Sequence, residues 1–113
     1  MTGFVYILAN KRNGTLYAGV TSDLESRMHD HKNGLTPGFA TKYGCDRLVW
    51  LERHPNIVLA IRREKSLKDY KRAWKLDLIA KLNPNWDDLT DRIHVIDNPY
   101  NPGAGSRWSE FYE

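Results

Sequence analysis

The sequence predicts an α+β domain, and three observations carry that prediction. Phe4 to Ala9 and Thr15 to Val20 are strand-forming runs joined through Asn13-Gly14, the strongest short-range hairpin signal. A third apolar run, Arg47 to Arg53, stands between loops. Two stretches with helical spacing, Asn56 to Asp69 and Asp69 to Leu82, follow it.

The hairpin opens the chain. In its return strand, Leu16, Ala18 and Val20 fall on one face and Tyr17 and Gly19 on the other. A glycine there leaves room for a group to approach the backbone. Ser22-Asp23-Leu24-Glu25 reads as a capping box, with Ser22 as the N-cap of a helix that starts near Asp23. Asn33-Gly34 ends that helix through a left-handed cap. Leu24, Arg27, Met28 and His31 share one helical face, mixing core residues with polar ones, so this face should border a cleft. Leu35 to Asp46 reads as a loop. The near-continuous apolarity of Arg47 to Arg53 predicts a central strand.

Pro55 suits the first turn of the next helix. There Ile57, Ala60, Ile61, Glu64 and Leu67 form one stripe, with Arg62, Arg63 and Lys65 expected to point outward. A carboxylate within an apolar stripe must be paired, bind a metal or face a cavity, because its uncompensated burial is costly. Trp74, Leu76, Leu78, Ile79 and Leu82 are the apolar set of the last helix, which Asn83-Pro84 stops. Residues 1–92 are expected to form one domain. Residues 93–113 are expected to be an irregular tail, rich in breakers around Pro99 to Gly105 and ending in Trp108, Phe111 and Tyr112.

Composition narrows the function classes. No run reaches the ~18 apolar residues of a bilayer span, and the start lacks a signal-peptide pattern, so a cytoplasmic protein is expected. One cysteine, Cys45, excludes an internal disulfide framework and a cysteine-based zinc site; it reads as a small packed residue beside Gly44. The net charge of +3 is modest, but Arg62, Arg63, Lys65 and Lys68 cluster on one helix. Such a stripe is either a solvated face or the footprint of a phosphate backbone.

Five side chains have the chemistry that phosphodiester hydrolysis needs. Glu64 is a hard oxygen ligand suited to Mg²⁺ or Mn²⁺. Arg27 offers a bidentate fork to a phosphate. Tyr6 and Tyr17 offer phenols to position or deprotonate a water, and His31 could share the base role or orient a hydroxyl. Each also has a structural reading: the tyrosines as core, Arg27 as a partner of Asp23 or Glu25, His31 as a helix-terminal residue, Glu64 as an i, i+4 partner of Lys68.

The ordered set resembles a GIY-YIG nuclease domain, in particular the small single-domain bacterial members. Val5-Tyr6-Ile7 stands at the first triplet and Tyr17-Ala18-Gly19 at the second. Arg27 and His31 match the arginine and histidine that follow. Phe39 to Tyr43 and Leu82-Asn83-Pro84-Asn85-Trp86 resemble stretches of the small members, and Ala60 to Lys68 carries the metal-binding glutamate position at Glu64. Val5 and Ala18 depart from the triplets but leave both tyrosines in place. The resemblance spans roughly Phe4 to Leu89. It implies a three-stranded antiparallel sheet flanked by helices and a single-metal nuclease that cuts nucleic acid; an endonuclease is expected, with DNA favoured over RNA as the substrate and a place in repair or recombination. Tyr6 or Tyr17 would receive the water's proton, with Lys42 and Asn83 in support. A nucleic-acid-binding module with little cleavage is the alternative. The expected assembly is a monomer or weak homodimer.

Overall fold

Lys11 to Gly14 forms a β-turn, in which the Gly14 amide donates to the Lys11 carbonyl at 3.0 Å and Asn13 takes the left-handed φ of 57°. Asn13-Gly14 therefore turns the chain within a longer hairpin loop rather than in a two-residue one. In this computed structural model, which describes residues 2–99, the loop joins β1 (Gly3–Ala9) to β2 (Leu16–Thr21). Then come α1 (Leu24–Lys32), α2 (Phe39–Lys42), β3 (Arg47–His54), α3 (Ile57–Lys68), α4 (Arg72–Leu82) and a 3₁₀ turn at Thr90–Arg92. The expected α+β architecture with a three-stranded antiparallel sheet is present, in the order β2-β1-β3.

The central strand is β1, not β3. Residues 5–9 of β1 are fully buried. β3 is an edge strand, yet it is apolar because both faces are covered and later chain covers its outer edge. The Leu89 amide donates to Leu48 O at 2.8 Å, the Arg53 amide to Asn98 O at 3.0 Å, and Asn98 Nδ2 to Leu51 O at 2.8 Å. The first residues of the expected tail thus pack on β3, and Ile93 is buried. Trp108, Phe111 and Tyr112 lie outside the described residues.

One face of the sheet carries Val5, Ile7 and Ala9 against Ala60 and Leu67 of α3 and Ile79 of α4. The other carries Tyr6 and Leu8 against Leu24 and Met28 of α1, closed by Leu89 and Ile93. The register of β3 slips between Ile7 and Leu8, and consecutive Val49 and Trp50 both join the first cluster.

Asp23, not Ser22, caps α1, its carboxylate accepting from the Ser26 amide at 3.2 Å; the Asp23 amide in turn donates to Thr21 Oγ1 at 3.1 Å. At the other end Gly34 (φ 66°) closes the helix as expected, with the amides of Gly34 and Leu35 donating to His31 O and Asp30 O. Asn56 caps α3, accepting from the Leu59 amide at 3.0 Å, so Pro55 lies just outside the helix. A Cβ at Gly3 would lie 2.7 Å from Ala60 Cβ, which is how closely α3 rides on β1. Among the described residues no helix is long and apolar enough to cross a membrane.

Arg63 corrects the expected basic stripe. It points inward, its Nε donating to Glu52 Oε1 at 3.0 Å, Nη2 to Glu52 Oε2 at 3.3 Å and Nη1 to Tyr70 Oη at 3.0 Å. His54 Nε2 meets the same carboxylate at 2.8 Å. This forked pair fastens α3 to β3 one residue before Glu64. Glu52→Ala should destabilise the protein by about 3–5 kcal/mol in urea unfolding, because it strands a buried guanidinium. Replacing both partners, as Glu52→Leu with Arg63→Met, should recover most of that loss.

Candidate active site

Tyr6 stands at the centre of β1, paired across the sheet with Gly19 of β2. A Cβ at Gly19 would lie 2.5 Å from both Cζ and Oη of Tyr6. The space expected above Gly19 for an incoming group is filled by the end of the Tyr6 ring. The phenol is completely buried, and its Oη lies 3.3 Å from Nε2 of His31 on α1. Either tautomer serves: the hydroxyl donates to a bare Nε2, or accepts from Nε2–H.

His31 is buried and also sits edge-on to Tyr17, with ring centroids 5.9 Å apart. Burial, and then the Arg27 guanidinium, lower its pKa from the ordinary histidine value, with Asp30 and Asp46 acting in opposition. Among the described residues its Nδ1 has no hydrogen-bond partner. The imidazole is therefore neutral near neutral pH and is held against the Tyr6 hydroxyl.

Burial and then the neighbouring Tyr17 push the Tyr6 phenol up to about 12. Arg27 pulls the other way by its charge and by hydrogen bonding, and Glu64 adds to the rise. Tyr17, Arg27, His31 and Glu64 thus all act on the Tyr6 hydroxyl, although Glu64 arrives from α3 and the others from the hairpin and α1. The Glu64 side chain is 13% exposed and pairs with Lys68 Nζ at 3.2 Å. The bland i, i+4 pair and the site position coexist, since Lys68 itself is exposed and can leave.

Three expected residues have other surroundings. Asn83 is buried and staples backbone together: its Nδ2 donates to Val49 O at 3.1 Å and Asp87 O at 2.8 Å, and its Oδ1 accepts from the Asp87 amide at 3.1 Å. Lys42 ends α2 in solvent, with Nζ 5.5 Å from the centroid of the Tyr43 ring. Arg63 is held by Glu52 and Tyr70, as described above, whereas Arg62, Lys65 and Lys68 are exposed. Cys45 is buried, its Sγ 3.6 Å from Thr15 O, and burial pushes the thiol up, as suits a packed residue rather than a nucleophile.

Phe39, placed by the sequence in a family-like stretch, had no site role assigned to it. It stacks on Tyr17 at 6.3 Å with a 20° interplanar angle, and so forms the outer wall of the site. Its helix has four residues, too short for any periodicity to register. Two aromatic residues, Phe39 and Tyr43, spaced four apart between Pro37 and Gly44, were the available signal.

Residues 2–77 match the family model of the GIY-YIG catalytic domain. The chain is 38% identical over 92 residues to a UPF0213 protein of Clostridium perfringens, spanning 81% of this chain and 98% of that one. It is also 38% identical over 85 residues to a UPF0213 protein of Syntrophus aciditrophicus, spanning 72% and 92%. Its structure is similar to the solution NMR structure of a UPF0213 protein from Bacillus halodurans, with TM-score 0.50 and 28% identity over 82% of this chain and 98% of that chain.

Gly19→Ala should cost about 1–3 kcal/mol in chemical unfolding, because Tyr6 has to leave its place. Ultraviolet titration should find one phenol that ionises only near about 12 and that vanishes in Tyr6→Phe. The folded pKa lies above the ordinary value of ~10, so folded protein keeps this proton longer than unfolded chain. Tyr6 should therefore leave stability intact below pH ~10 and erode it as pH rises toward 12.

Proposed function

The chain belongs to the GIY-YIG catalytic domain family, a family of nuclease domains, and from that premise we propose that it is a divalent-metal-dependent endonuclease hydrolysing phosphodiester bonds in DNA. One observation carries the reading: four side chains of the right chemistry, drawn from β2, α1 and α3, act on the hydroxyl of a fifth, Tyr6 of β1.

Glu64 would hold the cation, Mg²⁺ or Mn²⁺. Among the described residues no group of three or more His, Cys, Asp or Glu forms a cage, and one hard carboxylate oxygen fits an ion that keeps most of its waters and takes the rest of its shell from phosphate. When bound, the cation neutralises phosphate charge and acidifies a coordinated water. The chain's own residues do the rest. Tyr17 is partly exposed, so its hydroxyl is the phenol that orients the attacking water, and it takes that water's proton by passing its own hydroxyl proton on to solvent or a phosphate oxygen. Tyr6 is sealed from solvent and stays protonated, and with neutral His31 it fixes the pocket floor. Arg27 stabilises the charge that grows on the phosphoryl oxygens. Lys42, Arg62, Lys65 and Lys68 lie on the surface as contacts for the backbone phosphates.

Among single-stranded, duplex and branched DNA incubated with Mg²⁺ or Mn²⁺, at least one should be cut, and EDTA should stop the reaction. Glu64→Gln should lower the cleavage rate by about 100-fold or more while the protein stays folded. Wild-type cleavage matched by Glu64→Gln would overturn this mechanism. Salt-sensitive binding with no cleavage under either metal would instead identify a binding module.

A further inference from the structure

The aromatic row that begins at Tyr17 continues outward. Phe39 lies on Tyr17, and Tyr43 lies 4.5 Å from Phe39 at 44°. Phe39 is 47% exposed and Tyr43 45%. Lys42 sits over the Tyr43 ring. Three rings and a cation thus run from a phenol of the site into solvent.

Their backbone is held firmly. Gly38 (φ 110°) and Gly44 (φ 67°) bracket α2, and the amides of Gly44 and Cys45 donate to Thr41 O and Ala40 O in a closed helix end. Ala40 and Cys45 are buried, so the same short segment that anchors inward presents Phe39 and Tyr43 outward. Two half-exposed rings on a rigid support are suited to a flat ligand. A base inside a duplex has its faces covered by its neighbours; an unpaired base has a free face, and stacking on it accepts every base.

We propose that Phe39 and Tyr43 form a stacking platform for unpaired nucleobases beside the scissile phosphate, so that the substrate class is nucleic acid with single-stranded character. This rests on the nuclease reading of the same site, and it commits that site to one class of substrate. Lys42 contributes a phosphate contact at the outer end of the platform.

Binding without cleavage separates the two readings. Fluorescence anisotropy in EDTA would compare three labelled probes of equal length: an oligothymidylate strand, a strand of abasic sugar-phosphate units and a duplex. Wild type should bind the thymidylate strand about tenfold or more tightly than either of the others, a typical gain for stacking on aromatic rings. Phe39→Leu and Tyr43→Leu should each remove most of that preference while leaving abasic and duplex affinities and the salt slope unchanged. Tyr43→Trp should restore it. Lys42→Gln should instead weaken all three probes and reduce the salt slope by about one. Equal binding of thymidylate and abasic strands, as on a patch made for a protein partner, would overturn the platform. So would leucine variants that weaken all three probes alike. Tyr43 packs on Phe39 and under Lys42, one ring further out than Tyr17, so Tyr43→Leu keeps the test sound even where Phe39→Leu disturbs Tyr17. Preference for the thymidylate strand in a protein that never cuts would leave the platform standing and remove the nuclease reading alone.

Discussion

A tyrosine hydroxyl buried in a sheet face needs both space and a hydrogen-bond partner, and meeting those two needs shapes most of this molecule. Glycine at position 19 supplies the space, since any side chain there would occupy the volume of the Tyr6 phenol. His31 supplies the partner. Its placement requires α1 to lie across the Tyr6 face of the sheet, seated by Leu24 and Met28. The closed end of that helix, at Gly34, then limits how far the imidazole can shift. Tyr17 and Arg27 follow from the same arrangement, one beside Gly19 on β2 and one a helical turn before His31.

Glu64 reaches this centre by a separate route. Its helix lies on the opposite layer, pressed so closely on β1 that Gly3 admits no side chain. The forked Arg63–Glu52 pair prevents that helix from rotating. A carboxylate whose neighbour in sequence is locked to the sheet has a fixed direction without needing a rigid side chain of its own. Polar groups that look redundant for stability thereby set the geometry of the site.

Most of this arrangement could be read from the residues, and the failures have identifiable causes. Hairpin, third strand and both long helices were legible because each carries a period or a turn residue. The cap of α1 fell one residue late, since Ser22 and Asp23 are both good caps and only backbone conformation chooses between them. β3 resembled a central strand because covering its edge with residues from 89 onward makes it as apolar as one. Arg63 was misread because a long side chain at the border of a stripe can fold inward, and only tertiary contact shows that residue 52 awaits it. Glu52 itself was a visible oddity within an apolar run. Asn83 likewise has a buried amide that closes a turn, a role set by carbonyls whose positions no local pattern reveals.

The site is also divided in folding time. Tyr6 and His31 are separated by 25 positions, and Tyr17 and Arg27 lie between them. That half closes through a hairpin and one helix, whose loops are short and cost little entropy to form. Glu64 must wait for β1 to pair with β3 and for α3 to dock, contacts that span much longer stretches of chain. The two halves of the site thus differ in how much chain must be ordered to close them. If Glu64 carries the proposed role, competence to hydrolyse is a property of the whole fold, because the carboxylate meets the phenols only when α3 lies on the sheet.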